Sequence, residues 1–147
     1  MAGEAFLPLS TAMSIPFLRC MALVASFYGL PPRALPAIQA VEGGAPGIVH
    51  VNANGTDDLG VMQVNTLWIE PLARITHLTP QAVQARLVAD ACFNIAAAGA
   101  ILRAYLGQTH DLMTAIGDYH SHTPLLNQQY QREVLAAARR LFVMTRR

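Results

Sequence analysis

The chain has 147 residues, enough for one domain with a buried core, and 53% of them are apolar while only 13% are charged. This composition indicates a compact globule, and the charge-free runs are shorter than the roughly 18 to 20 residues of a membrane-spanning helix, so no transmembrane span is predicted. The net charge of +1 gives no support for a nucleic-acid partner.

The chain begins with a segment that has no sustained apolar period. Residues 1–15 are predicted to be an irregular lead-in to a single domain over residues 16–147. No Lys or Arg precedes Arg19, so a signal peptide with a positively charged start is not visible. Apolar spacing then predicts a first helix over residues 16–28, with Gly29 as its stop.

A second helix follows Pro31-Pro32 and ends on an acidic residue, Glu42. Its apolar residues recur at helical spacing: Leu35, Ile38 and Val41. Glu42 therefore projects beside the buried stripe, and Gly43-Gly44 stops the helix there. Partial burial and the negative end of the helix dipole are both expected to raise the pKa of Glu42. A carboxyl group that keeps its proton near neutral pH can act as a general acid.

A segment rich in glycine and proline follows this helix. Residues 43–58 predict a loop or short hairpin beside Glu42, where a cleft can open. Over residues 52–65 amides alternate with apolar residues, and amides such as Gln63 and Asn65 suit recognition of sugar hydroxyl and acetamido groups along a groove. A calcium loop is disfavoured, because the spacing departs from the EF-hand pattern and the closing Glu is absent.

Five more helices are predicted, over residues 66–75, 80–89, 91–106, 112–119 and 124–142. The helix over residues 91–106 is the most apolar and is expected to be central and buried, with Gly99 allowing a neighbouring helix to come close. The total is about seven helices with little strand. Five arginines at the end of the chain favour a solvated helix face over a site for an anionic polymer: Arg132, Arg139, Arg140, Arg146 and Arg147.

The other reactive side chains can also be interpreted as ordinary structural residues. Tyr119 is equally consistent with a core aromatic and with a phenol in a cleft. His120 and His122 lack the accompanying ligands of a metal site, and no nucleophile elbow supports a serine triad. The two cysteines, Cys20 and Cys92, permit either one disulfide or two buried thiols.

Four motifs in a fixed order resemble those of one known family. They are VEGG at residues 41–44, NGTDDLGVMQVN at 54–65, DACFNI at 90–95 and YHS at 119–121. Together they resemble the lytic transglycosylases of the soluble-transglycosylase type, above all the small enzymes that accompany type IV secretion, conjugation, type III secretion and pilus systems. The resemblance implies a goose-lysozyme-like fold: mainly α, in the lysozyme-like α+β superfamily, with about seven helices around a central buried helix and a short loop or hairpin lining the cleft.

By this resemblance, Glu42 is the single catalytic acid and base. It would protonate the glycosidic oxygen between N-acetylmuramic acid and N-acetylglucosamine in peptidoglycan. It would then take the proton of the muramyl 6-hydroxyl, which attacks the anomeric carbon to give a 1,6-anhydro product. The acetamido group of the substrate replaces a second carboxylate. No cofactor or metal is implied, and the expected partners are glycan strands and components of a secretion or pilus apparatus.

The resemblance also implies which residues bind the substrate. Gly60, Met62 and Gln63 match the family's Gly-x-Met-Gln groove motif, and Asn65 belongs to the same stretch. Asn94 matches an asparagine that the family carries on a helix. All five are therefore expected at the groove.

By the same resemblance, Tyr119 matches a tyrosine that faces the catalytic acid. Cys20 and Cys92 match positions that are often paired in a disulfide. Such a disulfide implies an oxidising, periplasmic setting. The chain departs from the family at Gly43, where most relatives have Ser, and at His120, where many have Asn.

Two alternatives to a transglycosylase remain. A lysozyme-type hydrolase would use Asp57 or Asp58 to direct water at the same sugar bond. A wall-binding scaffold subunit would keep the fold but have little activity.

Overall fold

The computed structural model describes residues 15–142, and all of the predicted lead-in except its last residue lies outside them. Seven α-helices occur in this part of the chain: α1 (Leu18–Tyr28), α2 (Ala34–Glu42), α3 (Ile69–Thr76), α4 (Pro80–Ala89), α5 (Ala91–Thr109), α6 (Leu112–His120) and α7 (Pro124–Phe142). The prediction of a mainly α fold with about seven helices is confirmed. Membership of the lysozyme-like superfamily stays a prediction.

The predicted hairpin beside Glu42 is confirmed as part of a small antiparallel sheet in the order β1-β2-β3. Its strands are β1 (Val49–Val51), β2 (Asp57–Leu59) and β3 (Val64–Asn65). The third strand was not predicted. The helix predicted over residues 66–75 is divided, because a 3₁₀ turn (Thr66–Trp68) precedes α3 and the Asn65 side chain caps that turn by accepting from the Leu67 N–H at 2.9 Å.

The first helix ends where its glycine allows the backbone to turn. Gly29 has φ 63°, and its N–H donates to carbonyls of the last turn of α1, as in a helix C-cap. The same helix crosses α5 closely at Gly99, where a Cβ would overlap the Val24 side chain and lie 3.1 Å from the Tyr28 ring. The predicted role of Gly99 is therefore confirmed.

Helix α5 is the centre of the fold, as predicted, and its neighbours are α1, α4 and α6. Asp90 caps the beginning of α5, because its carboxylate accepts from the Phe93 N–H at 3.0 Å. No single helix between residues 15 and 142 is both long and apolar enough to cross a membrane. Helices α4 and α5 reach that length and composition only as a pair bent by 109°.

A disulfide joins α1 to the beginning of α5, which confirms the pairing that the family resemblance implies. It links Cys20 and Cys92 across 72 residues, with their Cα atoms 5.5 Å apart. This separation lies within the usual range for a disulfide. Such bonds persist in oxidising compartments, so the pairing is consistent with a protein that works outside a reducing cytosol.

Candidate functional site

A cleft of about 620 Å³ opens beside the end of α2. The sheet, the 3₁₀ turn, α5 and the end of α6 contribute its other walls. Its lining residues are Glu42, Asn52, Ala53, Asn54, Asp58, Gln63, Val64, Asn65, Leu67, Trp68, Ile101, Tyr105, Asp118, Tyr119, His120, Ser121 and His122. Amide, carboxyl and aromatic side chains therefore converge on one space, as is common in sites that bind polar ligands.

Glu42 is the last residue of α2 and is partly buried at the cleft. The helix ends behind it because Gly43 has φ 66° and donates its N–H to the Gln39 carbonyl at 2.8 Å. Burial raises the pKa of Glu42 to about 7, and the negative charges of Asp58 and Glu133 add to the effect. The predicted direction of the shift is confirmed.

Tyr130 is the residue that holds Glu42, and it was not among the site residues predicted from the sequence. It lies on α7 with 3% of its surface exposed, and its hydroxyl donates to Glu42 Oε1 at 2.6 Å. This hydrogen bond favours the carboxylate and opposes the effect of burial on the pKa of Glu42. One property of the sequence could have indicated this role: a tyrosine on the buried face of a helix needs an acceptor for its hydroxyl.

Tyr119 lines the same cleft as Glu42, and its hydroxyl donates to the Met62 carbonyl at 2.8 Å. The tyrosine that is hydrogen-bonded to Glu42 is Tyr130. That Tyr119 faces the acid, as the family resemblance implies, stays a prediction. Burial, followed by the charge of Glu42, raises the pKa of Tyr119 well above its ordinary value. Tyr119 is therefore a neutral phenol that joins α6 to the turn after β2.

Asn94 lies beneath the cleft wall rather than on its surface. Its side chain is fully buried, and its amide nitrogen donates to the Leu59 carbonyl at 2.7 Å and to the Leu87 carbonyl at 2.8 Å. Its amide oxygen accepts from the Met62 N–H at 2.8 Å. One side chain thus clamps both ends of the turn that carries the groove motif.

The residues of the groove motif lie partly inside the wall of the cleft and partly on its surface. Gly60 and Met62 are buried in the wall, whereas Gln63 lines the cleft. Gly60 has φ 69°, and a Cβ there would lie 2.6 Å from the amide nitrogen of Asn94. Glycine is therefore required both by conformation and by the closeness of the clamp. Gln63 folds back over the turn, with its amide nitrogen donating to the Gly60 carbonyl at 2.9 Å.

Asn65 lines the cleft and orients an acidic neighbour. Its amide nitrogen donates to Asp58 Oδ1 at 2.9 Å and to Thr56 Oγ1 at 3.0 Å. These bonds fix the Asp58 carboxylate on the cleft surface. Asp57, the other carboxylate considered for a hydrolase, is not among the lining residues.

The wall away from the sheet carries a row of rings. Trp68 meets Tyr105 edge to face with centroids 5.7 Å apart, and Tyr105 meets His122 in the same way at 5.3 Å. The His122 Nδ1 lies 3.1 Å from a carboxylate oxygen of Asp118. Within residues 15–142, no group of three or more His, Cys, Asp or Glu side chains is arranged to hold a metal ion.

The raised pKa of Glu42 predicts a stability effect. Between pH 4.5, its ordinary value, and about pH 7, the folded protein binds more protons than the unfolded chain, so the free energy of unfolding falls as pH rises. The full decrease is about 3 kcal/mol. Glu42→Gln removes this ionisation, and we expect urea unfolding to show a variant more stable than wild type at pH 8, with the gain shrinking towards pH 4.5.

Glu70→Gln is the matched control for this experiment, because it removes a carboxyl group from an exposed position on α3. The stability advantage at pH 8 should belong to the Glu42 variant alone. Equal curves for both variants would contradict the assignment of a buried, protonated Glu42.

Comparison with known proteins does not identify a family for this chain. No protein-family model matches it, and no curated protein matches it. The chemistry of the cleft is therefore the basis on which a function can be assigned.

Proposed function

We propose that the protein is a peptidoglycan lytic transglycosylase. The observation that carries the proposal is Glu42, a carboxyl group with a pKa of about 7 at the surface of a polar cleft and in contact with the Tyr130 hydroxyl. Near neutral pH such a group exists in both protonation states. It can therefore give up a proton and accept one within a single turnover.

In the proposed reaction, Glu42 begins protonated and transfers its proton to the glycosidic oxygen. The bond from the muramyl anomeric carbon to that oxygen breaks, and the departing N-acetylglucosamine keeps the proton as a hydroxyl. The Glu42 carboxylate then takes the proton of the muramyl 6-hydroxyl while that oxygen bonds to the anomeric carbon. The product is a 1,6-anhydro sugar, Glu42 is protonated again, and no water is consumed.

The cleft offers groups that suit an acetylated sugar. Amide side chains such as Asn52 and Gln63 can bond to hydroxyl and acetamido groups, while Trp68 and Tyr105 provide apolar ring surface. Tyr130 is well suited to steady the acid. Burial and the charge of Glu42 raise the pKa of Tyr130 far above its ordinary value, so it remains a donor in both protonation states of Glu42.

A second candidate is a lysozyme-type hydrolase, which one observation favours. Asp58 lines the same cleft as Glu42, and its charge contributes to the raised pKa of that acid. With Asn65 holding it in place, Asp58 is able to orient a water molecule towards the anomeric carbon. The two reactions differ in their products.

Mass spectrometry of muropeptides released from purified peptidoglycan in ¹⁸O-labelled water tests the proposal. We expect anhydro ends that are lighter by one water than reducing ends and contain no label from solvent. Reducing ends that carry one ¹⁸O would mean hydrolysis and would contradict the proposal. In that case Asp58→Asn would abolish the labelled product, whereas a transglycosylase with this substitution still makes anhydro ends.

The proposed setting is the periplasm, where the enzyme would open the wall locally for a secretion, conjugation or pilus apparatus. The Cys20–Cys92 disulfide supports an oxidising compartment. The family resemblance supports the link to an envelope-spanning apparatus. A weakly active scaffold subunit would share both features, so activity measurements decide between the two.

A further inference from the structure

His120 is in direct contact with the tyrosine that holds the candidate catalytic acid. It is the last residue of α6, its side chain is exposed at the cleft, and its imidazole stacks on the Tyr130 ring. The ring centroids are 4.9 Å apart and the planes are only 11° from parallel. The hydroxyl of the same tyrosine, Tyr130, donates to Glu42 Oε1 at 2.6 Å.

The end of α6 is tied to α7 by a side chain one turn before Tyr130. The Asn127 amide nitrogen donates to Asp118 Oδ1 at 2.9 Å and to the Ser121 carbonyl at 3.2 Å, on either side of His120. Gly117 allows the close approach, since a Cβ there would overlap the Asn127 side chain. Residues three apart on a helix share a face, so this anchor lies next to the Tyr130 ring and holds His120 over it.

His120 contributes to the cover over Tyr130 on the side of the open cleft. The exposed imidazole covers one face of the Tyr130 ring, and Tyr130 as a whole is 3% exposed. Without that cover, cleft water would reach Tyr130 and compete with Glu42 for its hydroxyl, and the ring would be free to shift towards the vacated space. Near-parallel ring stacking is a contact that opposes both changes.

We propose that His120 is a positioning residue: by stacking on Tyr130 it keeps the phenol hydroxyl directed at Glu42. Its action on Glu42 is indirect and passes through the Tyr130 ring. The kinetic consequence rests on the proposed transglycosylase function, whereas the effect on the Tyr130–Glu42 hydrogen bond does not.

The direct test follows the titration of the Glu42 carboxyl carbon by ¹³C NMR, without any substrate. The Tyr130 bond lowers the pKa of Glu42, so Tyr130→Phe should move the titration midpoint to higher pH. His120→Ala should move it in the same direction by a smaller amount, and His120→Phe, which keeps a stacked ring, should restore the wild-type midpoint. The remaining charged or titratable groups that face this pair are Asp58 on β2, Tyr119 on α6 and Glu133 on α7, and all three are left in place.

A double-mutant cycle separates positioning from general loosening of the cleft. In the Tyr130→Phe background, His120→Ala should cause no further shift of the Glu42 midpoint. An equal shift in both backgrounds, or no shift in either, would overturn the proposal.

Turnover measurements give an independent readout. We expect His120→Ala to lower kcat about three- to tenfold with KM nearly unchanged, and His120→Phe to recover most of the rate. A raised KM with unchanged kcat would mean that His120 binds substrate and would overturn the positioning role. If no variant and no wild type cleaves peptidoglycan while the NMR shifts appear as described, the proposed function fails and this inference stands.

Discussion

Glu42→Gln is expected to lower the rate of glycosidic-bond cleavage by about 10³-fold, because general acid–base catalysis contributes roughly 10²- to 10⁴-fold and in the proposed reaction this one side chain serves both steps. The substitution keeps the size of the side chain and leaves Oε1 as an acceptor for the Tyr130 hydroxyl. The fold and the shape of the cleft should therefore be retained. Clearing zones on gels that contain cell-wall material, together with release of muropeptides, measure the loss.

Glu70→Gln is again the matched control, since Glu70 is exposed on α3 and does not line the cleft. It should clear the gel as wild type does. Equal clearing by the Glu42 and Glu70 variants would show that Glu42 is not catalytic, and no clearing by any form would favour a scaffold subunit.

The pH dependence of kcat/KM is a second test of the proposed role of Glu42. In the proposed reaction the free protein begins with Glu42 protonated, and burial raises the pKa of Glu42 to about 7. We therefore expect kcat/KM to fall about tenfold per pH unit above this value, because the protonated fraction falls in the same proportion. An activity that rises through pH 7 and stays high at pH 9 would exclude Glu42 as the general acid.

Some parts of the site are encoded by local sequence. The end of α2 could be predicted because apolar spacing and two glycines define it, and the same features placed Glu42 beside the core. Its raised pKa followed from that placement. The hairpin next to Glu42 was equally predictable, since glycines, prolines and amides in residues 43–58 favour turns.

The contacts that complete the site join distant parts of the chain, and no local pattern encodes them. Tyr130 is 88 residues from Glu42, and its spacing on α7 indicates only a buried face. Asn94 was expected at the groove, but its contacts are with main-chain groups inside the wall. Periodicity predicts which face of a helix is buried, whereas the partner across the core depends on how the helices pack.

Because Asn94 is a buried clamp and not a residue of the groove surface, its loss is expected to lower stability. Asn94→Ala would leave the Leu59 and Leu87 carbonyls and the Met62 N–H without their partner in the core. Each unsatisfied buried group costs about 1–3 kcal/mol, so we expect the free energy of unfolding to fall by about 4–5 kcal/mol. Urea titration measures this change.

Asn94→Asp separates hydrogen bonding from packing, because aspartate has nearly the same volume. It keeps an acceptor for the Met62 N–H but loses both donors, and it would bury a negative charge beside two carbonyl oxygens. We therefore expect it to destabilise the protein as much as alanine does. Gln108→Ala, at an exposed position on the same helix, should change stability by about 0.5 kcal/mol or less. An aspartate variant as stable as wild type would contradict the clamp, because volume alone would then account for the effect of alanine.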